Sequence, residues 1–355
     1  MKGRRPRPLD DGDCGRARVS LIISTTKLIK WENLRMPFIS NATASAIKDA
    51  ATALINGDLV AFPTETVYGL GADARNESAV NKIYLAKGRP ADHPVIVHIC
   101  NINLLDKWAK QIPAYAIKLA RSYWPGPMTL ILPRTALAKD FITGGQDNIG
   151  IRIPNQTLAL ALLSEFEKQG GAGVAAPSAN RFGAVSPTTA QAVESELAAY
   201  LSASDQILDG GACDVGVEST IIDCTGSTPI ILRPGAITAQ MIFAATDLEP
   251  ATTNNLAIKA PGLLESHYSP LAKVILDQRP ERGDGFIALS EIKTPEGVIR
   301  LASPKNNEEY AKVLYQALRN ADAQQIKTVH AHLPTGSDIA VAIRDRLTKS
   351  ANKLK

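Results

Sequence analysis

Residues 63–90, PTETVYGLGADARNESAVNKIYLAKGRP, follow the apolar run LVAFP and precede a second apolar run, VIVHIC. Inside this stretch, residues 77–87 place Val80, Ile83 and Tyr84 at helical spacing, so that a helix is predicted between two short buried strands. Strand, helix and strand in succession form the repeating unit of an α/β fold. The stretch therefore predicts an α/β domain that carries polar groups at the ends of its strands and helices.

The same alternation extends in both directions from this stretch. Apolar runs and helical patterns alternate from residue 36 to about 240, and we expect one α/β domain over residues 36–240. Residues 241–271 lose the pattern and are interpreted as a linker. Residues 272–355 resume it, which predicts a second, smaller α/β domain. Among the helix signals, Thr43 is expected to be an N-cap, and SPT predicts a helix that starts at Pro187 with Ser186 as its N-cap.

The positive charge of the chain is concentrated at its beginning. Residues 1–35 contain nine Lys/Arg and four Asp/Glu and therefore have a net charge of +5. Since the whole chain has a formal charge of +4, residues 36–355 have a net charge of −1. Non-specific nucleic-acid binding relies on a large excess of cations, and the chain after residue 35 has none. Residues 1–35 are predicted to be a disordered extension, with Met36 as a candidate for the true start.

The composition is that of an ordinary globular protein. Hydrophobic residues make up 45% of the 355 residues, which is ample for a core. The longest apolar runs are much shorter than the roughly 20 residues of a membrane-spanning helix. The cysteines, Cys14, Cys100, Cys213 and Cys224, are widely spaced and form no C-x-x-C, which argues against a zinc site or a disulfide framework. We expect no resident metal, no membrane association and a cytoplasmic location.

Signature motifs of several enzyme classes are absent. The sequence contains no G-x-x-x-x-G-K-[ST], no H-E-x-x-H and no G-x-S-x-G. GLGADA, residues 69–74, matches the letters of a dinucleotide fingerprint, but that fingerprint opens directly into a helix and has an acidic strand end about 20 residues later. Here Asp92 lies in a proline-rich loop instead. A Rossmann dinucleotide site is therefore not favoured.

Two cations stand at the end of the helix predicted over residues 77–87. Lys87 follows Val80 by seven positions and continues the apolar face of the helix, and Arg89 follows immediately after the Gly88 cap. A lysine at this position can also be explained by the helix dipole alone. Two cations held at a rigid helix end are suited to a polyphosphate.

Further polar residues follow predicted strands. Arg152 points away from the apolar face of the strand IGIRIP, and His98 ends the strand VIVHI. Ser178, Ser219 and Arg233 also lie at strand ends, where open α/β sheets bind ligands. Each has a structural alternative, such as a solvated arginine or a core histidine with satisfied hydrogen bonds. Individually these signals do not define a site.

Together, however, the segments resemble one family. PTETVYGLGADA, KGRP followed by HP and VIVHI, WPGPMTLIL, IGIRIP, APSAN, SPT, GVESTIID and ILRPG occur in the order and spacing of the YrdC-like threonylcarbamoyl-AMP synthases. APGLLESHYSP and the α/β pattern after it are similar to the longer, two-domain form, and the resemblance covers residues 36–355. It implies a YrdC-like twisted mixed sheet with helices and an open concave ligand cleft, plus a smaller C-terminal Rossmann-like α/β domain.

The resemblance also implies a reaction, in which L-threonine, bicarbonate and ATP give L-threonylcarbamoyl-AMP and diphosphate. The threonine amine captures carbon dioxide as a carbamate, whose oxygen attacks the α-phosphate, so no protein nucleophile is required. Mg²⁺ is expected to enter with ATP, because no acidic cluster suggests a protein-built magnesium site. The product is expected to pass to a tRNA threonylcarbamoyl transferase, which modifies the adenosine beside the anticodon.

The matching motifs carry the family's site residues onto this sequence. Lys87 and Arg89 are implied as catalytic cations. The positions implied for L-threonine are Thr66, His98, Arg152, Ala176 and Ser219. The positions implied for ATP are Arg89, His93, Asn148, Ser178, Ser186, Arg233 and Tyr268. Arg152 is the expected partner of the threonine carboxylate, since a guanidinium fork fits a carboxylate bidentately.

The sequence departs from the commoner family pattern at several positions. His93 stands where Asn is frequent, Asn148 and Ala176 stand where Thr is frequent, and LLES in the linker replaces a more basic run. The first three keep hydrogen-bonding capacity or act through backbone atoms, whereas the last weakens the expected contact between linker and phosphate. The sequence leaves open whether Glu65 polarises the site or braces the turn. The C-terminal domain and linker are expected to gate the site.

Three other functions remain compatible with this fold. A nucleic-acid-binding module would hold double-stranded RNA or tRNA on a concave basic face, against which the −1 balance argues. A carbamoyl-adenylating domain of hydrogenase maturation shares the core but comes with cysteine-rich zinc segments that are absent here. A paralogue of the synthase outside the tRNA modification is the third alternative. Threonine-dependent release of pyrophosphate is the observation that separates the synthase from the first two.

Overall fold

The structure is a computed structural model that describes residues 38–252, 258–262 and 268–352, apart from the side chains of Phe38 and Thr252. In these ranges the chain forms one large and one small β-sheet, each packed against helices.

Three of the predictions lie outside the described residues. They are the disordered extension over residues 1–35, the role of Met36 as a start, and the effect of the LLES sequence at residues 263–266.

A mixed sheet of eleven strands forms the larger part of the described chain. In chain order its strands are β1 (Phe38–Asn41), β2 (Val60–Phe62), β3 (Gly69–Asp73), β4 (Ile96–His98), β5 (Met128–Pro133), β6 (Asn148–Arg152), β7 (Val174–Ala175), β8 (Gln206–Asp209), β9 (Thr220–Asp223), β10 (Ile230–Arg233) and β11 (Ala251–Thr252). Across the sheet they lie in the order β1-β8-β2-β3-β7-β4-β6-β5-β9-β10-β11. At the centre of the sheet β4 lies between β6 and β7, and His98 of β4 pairs with both Arg152 of β6 and Val174 of β7. This register places two candidate site residues on neighbouring strands.

The large sheet is covered by helices whose ends carry the expected caps. These helices are α1 (Ala44–Ile55), α2 (Glu77–Lys87), α3 (Leu105–Trp108), α4 (Ala114–Tyr123), α5 (Asp140–Thr143), α6 (Thr157–Lys168), α7 (Ala190–Leu197) and α8 (Ala239–Thr246). As predicted, the Thr43 hydroxyl caps α1 by accepting the Ala46 N–H at 3.1 Å. α2 ends at Lys87, and Gly88 follows in the left-handed conformation with φ of +60°.

Two hydrophobic clusters hold these helices on the sheet. One joins α1 and α6 to β2, through side chains such as Leu54, Phe62 and Leu162. The other is larger and joins α2 and α4 to the central strands, with Ile83 and Leu119 among its fully buried residues. Within the described ranges, no helix combines the length and apolarity needed to cross a membrane.

The small sheet is entirely parallel and has four strands. They are β12 (Lys273–Leu276), β13 (Gly285–Ile287), β14 (Ile299–Ala302) and β15 (Thr328–Ala331), in the order β12-β15-β13-β14. Two helices pack on it, α9 (Asn307–Ala323) and α10 (Ala340–Ala351). A smaller C-terminal α/β unit is thus confirmed.

The helices of the small unit also contact loops of the larger one. Val185 and Val217 are buried in the same hydrophobic cluster as Leu314 of α9 and Ile343 of α10. At Gly216, with φ of +81°, a Cβ would lie 2.4 Å from the carbonyl oxygen of Ala311. Glycine is therefore required where this loop meets α9.

The predicted start of α7 is wrong. The helix begins at Ala190, and its N-cap is Thr189, whose hydroxyl accepts the Ala192 N–H at 3.2 Å. The carbonyl of Pro187 accepts the N–H of Tyr68 at 2.9 Å, so the segment before Thr189 pairs with another loop instead of winding into a helix. The Ser186 hydroxyl is likewise committed elsewhere, as described below.

Two segments have more regular structure than the sequence suggested. GLGAD, considered as a dinucleotide loop, is strand β3, and its pairing with β2 and β7 excludes that loop. The range interpreted as a linker, residues 241–271, contains most of α8, which packs on α4, and also β11, which extends the large sheet.

Candidate active site

A small cavity lies where the ends of the central strands meet the segment that precedes β12. Its volume is about 50 Å³, enough for only a few water molecules. The residues that line it are Thr64, Thr66, Val67, Tyr68, Gly69, Arg89, Ile96, His98, Arg152, Ala176, Pro177, Ser178, Glu218, Ser219, Arg233, Pro261, Gly262 and Tyr268. The structure thus brings together all five positions expected at threonine and four of those expected at ATP.

Arg152 is held in one orientation by the TET sequence. One of its terminal nitrogens, Nη2, lies 2.8 Å from Glu65 Oε1 and donates to Thr66 Oγ1 at 2.9 Å. Thr66 Oγ1 is in turn 2.8 Å from Thr64 Oγ1. All four side chains are buried, so solvent does not screen the ion pair. The alternative of a solvated arginine is therefore excluded.

The geometry also assigns a place to Glu65. Its carboxylate does not line the cavity; Oε1 faces Arg152, and Oε2 accepts the backbone N–H of Asn155 at 3.0 Å. Glu65 therefore joins the turn before β3 to the segment after β6 and braces the guanidinium that faces the cavity.

The His98 side chain lines the cavity and is uncharged. Its ring is buried and lies edge-on to Phe62, with 6.1 Å between the ring centroids. Burial, assisted by the Arg152 cation, lowers the pKa of His98 to about 3. At neutral pH this side chain can form a hydrogen bond but adds no positive charge to the site.

The pKa of His98 predicts a pH dependence of stability. Between pH 6.5 and about 3 the unfolded chain binds a proton at residue 98 that the folded chain does not, so stability falls as the pH falls. The slope contributed by this group approaches about 1.4 kcal/mol per pH unit. In His98→Gln the free energy of unfolding should therefore depend less steeply on pH between 4.5 and 6.5.

Chemical denaturation at several pH values measures this slope. His332→Gln, at an exposed histidine, is the control and should parallel the wild type. Parallel curves for His98→Gln and the wild type would contradict the proposed protonation state.

Lys87 faces inward, as its position on α2 predicted, but it contacts protein carbonyls. Its ammonium donates to the carbonyl oxygens of Ser178 and Asn180, the latter at 2.6 Å. Burial, and then the nearby Arg89 cation, lower the pKa of Lys87 well below the usual value. Lys87 does not line the cavity. It fixes the loop after β7, from which Ser178 faces the cavity.

Arg89 lies on the cavity wall beside this loop. Its Nη2 donates to the Pro94 carbonyl at 2.8 Å, and its guanidinium lies 5.8 Å from the centroid of the Phe182 ring. Burial lowers the pKa of Arg89 to about 10, so it remains a cation at neutral pH. His93 contacts the same Phe182 ring edge-on at 5.3 Å but does not line the cavity.

Arg233 joins the end of β10 to the start of β9. It donates from Nε and Nη2 to the Ser219 carbonyl at 3.1 and 2.9 Å, and from Nη2 to Ser219 Oγ at 3.1 Å. Ser219 Oγ also lies 2.8 Å from Thr129 Oγ1. The expected threonine position and the expected ATP position are therefore in direct contact.

The structure adds Glu218, which the sequence analysis did not select. Its carboxylate lines the cavity and accepts the hydrogen bond of Ser186 Oγ at 2.6 Å. Ser186 itself is fully buried and does not line the cavity. A hydroxyl has one proton to donate, so Ser186 can accept a hydrogen bond from a ligand but cannot donate one while it is bonded to Glu218.

Residues 258–262, which we call the cover segment, contribute Pro261 and Gly262 to the cavity wall and are held at both ends. Lys259 forms an ion pair with Asp92 at 3.0 Å, and its backbone N–H donates to Gln146 Oε1 at 2.7 Å. At the other end, the Gly262 carbonyl accepts from Lys349 of α10 at 2.8 Å. After this segment, the next described residue of the chain is Tyr268, which also lines the cavity.

Asn148 is placed apart from the other candidates. It opens β6, opposite Pro133 of β5, and lines a separate groove together with Arg134 and Lys139.

Comparisons with known proteins agree with this geometry. A family model described as "Telomere recombination" (Sua5/YciO/YrdC) matches residues 52–235, and a second, "Threonylcarbamoyl-AMP synthase, C-terminal domain", matches residues 237–352. Proteins named threonylcarbamoyl-AMP synthase from Pyrococcus abyssi and Bacillus subtilis are each 38% identical, over 86% of this chain and 94% and 92% of theirs. One from Schizosaccharomyces pombe is 34% identical over 91% of this chain and 92% of its own.

A solved structure is similar over most of the chain. The crystal structure of P. abyssi Sua5 complexed with L-threonine has a TM-score of 0.80 and 36% identity, covering 88% of this chain and 97% of that one. The chain therefore belongs to the Sua5/YciO/YrdC family, in the two-domain form that carries the Sua5 C-terminal domain.

Proposed function

We propose that the protein is an L-threonylcarbamoyl-AMP synthase, which converts L-threonine, bicarbonate and ATP into L-threonylcarbamoyl-AMP and diphosphate. The observation that carries this proposal is the convergence of nine of the thirteen positions expected from the family on one cavity. The names of the relatives, and the threonine bound to the P. abyssi protein, support it.

The residues around the cavity suit a reaction whose substrates supply both reacting groups. The carbamate formed from the threonine amine attacks the α-phosphate, and the P–O bond to diphosphate breaks as the new P–O bond forms. Arg89 and Arg233 are buried cations that offset charge on the phosphates, while Arg152 offers its guanidinium to the threonine carboxylate. The protein acts by holding two anions together in a water-poor space.

ATP is expected to enter as its magnesium complex. Within the described part of the chain, no group of three or more His, Cys, Asp or Glu residues could hold a metal ion. The buried carboxylate in the cavity wall, Glu218, is already bonded to protein partners. The phosphates are therefore the main ligands of the magnesium that ATP brings.

The cover segment has to move before ATP can bind. The cavity of about 50 Å³ has no room for a nucleotide, and Pro261 and Gly262 of this segment form part of its wall. We therefore interpret this segment as a gate, held shut by bonds to both the large unit and α10. The same cover would shield the product, a mixed anhydride, from water until it leaves.

The product serves a tRNA threonylcarbamoyl transferase, which attaches the threonylcarbamoyl group to the adenosine beside the anticodon. We place the reaction in the cytoplasm, where the unpaired thiols of Cys100, Cys213 and Cys224 are stable.

The test is a reaction with single omissions. Purified protein with L-threonine, bicarbonate and MgATP should release pyrophosphate, and leaving out any one substrate should lower the rate at least about tenfold, because the attack requires the complete carbamate. Mass spectrometry should detect threonylcarbamoyl-AMP.

Two results would contradict the proposal. Release that does not depend on threonine would favour a carbamoyl-adenylating enzyme. Tight tRNA binding without ATP and with a steep salt dependence, in a protein that releases no pyrophosphate, would favour a nucleic-acid-binding module.

A further inference from the structure

We propose that Tyr315 and Arg346, on two helices of the C-terminal unit, are positioning residues for the ATP side of the cavity. They act through Glu218 and Tyr268. This inference rests on the proposed synthase function and gives the C-terminal unit a specific part in it.

Glu218 is the first of the two cavity residues that they hold. Its Oε2 accepts the Tyr315 hydroxyl at 2.8 Å and Arg346 Nε at 2.8 Å, while Oε1 accepts Ser186 Oγ at 2.6 Å. Two of its three side-chain hydrogen bonds therefore come from the C-terminal unit and the third from an expected ATP position. Moving Tyr315 or Arg346 would release the carboxylate that fixes Ser186.

Tyr268 is the second cavity residue held by the same pair. Its ring stacks on Tyr315, with centroids 5.7 Å apart and planes at 25°, and the Arg346 guanidinium lies 5.3 Å from the Tyr268 ring centroid. Its carbonyl accepts Ser350 Oγ of α10 at 2.9 Å. Tyr315 and Arg346 thus each contact both Glu218 and Tyr268.

Opposite charges meet at this contact, and the side chains of Glu218, Arg233 and Arg346 are all buried. Burial alone would raise the pKa of Glu218, but the Arg346 and Arg233 cations and the hydrogen bonds of Ser186 and Arg346 hold it at about 2. Arg346 is also 2.6 Å from Asp345. An ionised carboxylate with fixed donors has one orientation, whereas one that has lost a donor in a buried site rearranges or takes up a proton.

These contacts involve positions that are expected at ATP. Ser186, Arg233 and Tyr268 are positions expected at ATP, whereas the hydrogen bonds and the ion pair that hold Thr66 and Arg152 come from Thr64 and Glu65. Substituting Tyr315 or Arg346 should therefore weaken the binding of ATP more than the binding of threonine.

The experiment compares each positioning residue with a matched residue on its own helix. Tyr315→Phe is paired with Tyr310→Phe, since Tyr310 of α9 is also fully buried and donates its hydroxyl within the C-terminal unit, to the His332 carbonyl at 3.0 Å. Arg346→Gln is paired with Arg344→Gln, since Arg344 of α10 donates to the Pro334 carbonyl at 2.7 Å. The apparent KM for ATP and for threonine is measured for each, together with ATP binding by calorimetry.

Tyr315→Phe should raise the KM for ATP roughly tenfold, the expected effect of a lost hydrogen bond to a charged group, and leave the KM for threonine within about twofold. Arg346→Gln should have the larger effect, and Arg346→Lys, which keeps the cation, should recover part of it. Both control variants should resemble the wild type in both constants. In the double variant Tyr315→Phe, Ser186→Ala, the KM for ATP should rise by less than the product of the two single increases, because both substitutions act through Glu218.

The proposal would be overturned if Tyr315→Phe and Tyr310→Phe had the same KM for ATP. It would also be overturned if Tyr315→Phe raised the KM for ATP and the KM for threonine equally. If Arg346→Gln does not fold, the Tyr315 pair decides alone. A wild-type protein without threonine-dependent pyrophosphate release would instead refute the proposed function.

Discussion

Replacing Arg152 with alanine is expected to raise the threonine concentration needed for half-maximal rate at least about 30-fold. Removing one partner of a buried, hydrogen-bonded charge pair typically costs about 2–5 kcal/mol of binding, and a tenfold change corresponds to about 1.4 kcal/mol. The KM for ATP should change much less. Steady-state kinetics with each substrate varied in turn measures both.

The same substitution should also destabilise the protein by about 3–5 kcal/mol, because it leaves the Glu65 carboxylate buried without its cation. The double variant Glu65→Gln, Arg152→Ala removes both charges and is the control. It should regain much of the stability but none of the threonine affinity. A double variant that recovers threonine binding would show that Arg152 is not its partner.

Replacing Lys87 with methionine is expected to lower turnover about 100-fold without a matching loss of threonine affinity. Methionine preserves the length and packing of the side chain but donates no hydrogen bond. The carbonyls of Ser178 and Asn180 would lose a charged donor, at a cost of roughly 1–3 kcal/mol each. The loop that presents Ser178 to the cavity would shift.

Lys82→Met is the matched control for this variant. Lys82 is on the same helix and donates to the Gly57 carbonyl at 2.7 Å, and neither residue lines the cavity. It should keep nearly full turnover. If Lys87→Met also keeps full turnover, the loop does not depend on Lys87, and the role expected for it as a catalytic cation fails as well.

The residues around the expected threonine site could be predicted because the patterns that indicate them lie in short, continuous stretches of sequence. Arg152 and His98 occupy the last positions of short apolar strands, and residues on neighbouring parallel strands end at one edge of a sheet. The family's motif order supplied the rest. What local sequence did not contain was the partner of Arg152, since Glu65 faces it from a turn 87 residues earlier.

The ATP side was harder to predict because its contacts are distant in sequence. Glu218 meets Tyr315 and Arg346 across 97 and 128 residues, and nothing in VEST indicates such partners. Lys87 bonds to carbonyl oxygens, which every residue has and which leave no sequence signature. Near Ser186 several hydroxyls are candidates for the N-cap; Thr189 takes that position, whereas the Ser186 hydroxyl is bonded to Glu218.

The pairing of Glu218 with Tyr315 and Arg346 has a consequence for how the two parts of the chain can evolve. A gene fusion that placed a different C-terminal unit behind this large unit would leave a buried carboxylate without its donors. We therefore expect substitutions at these three positions to occur together in related sequences. Recombination between relatives should succeed only when both halves come from lineages that share this arrangement.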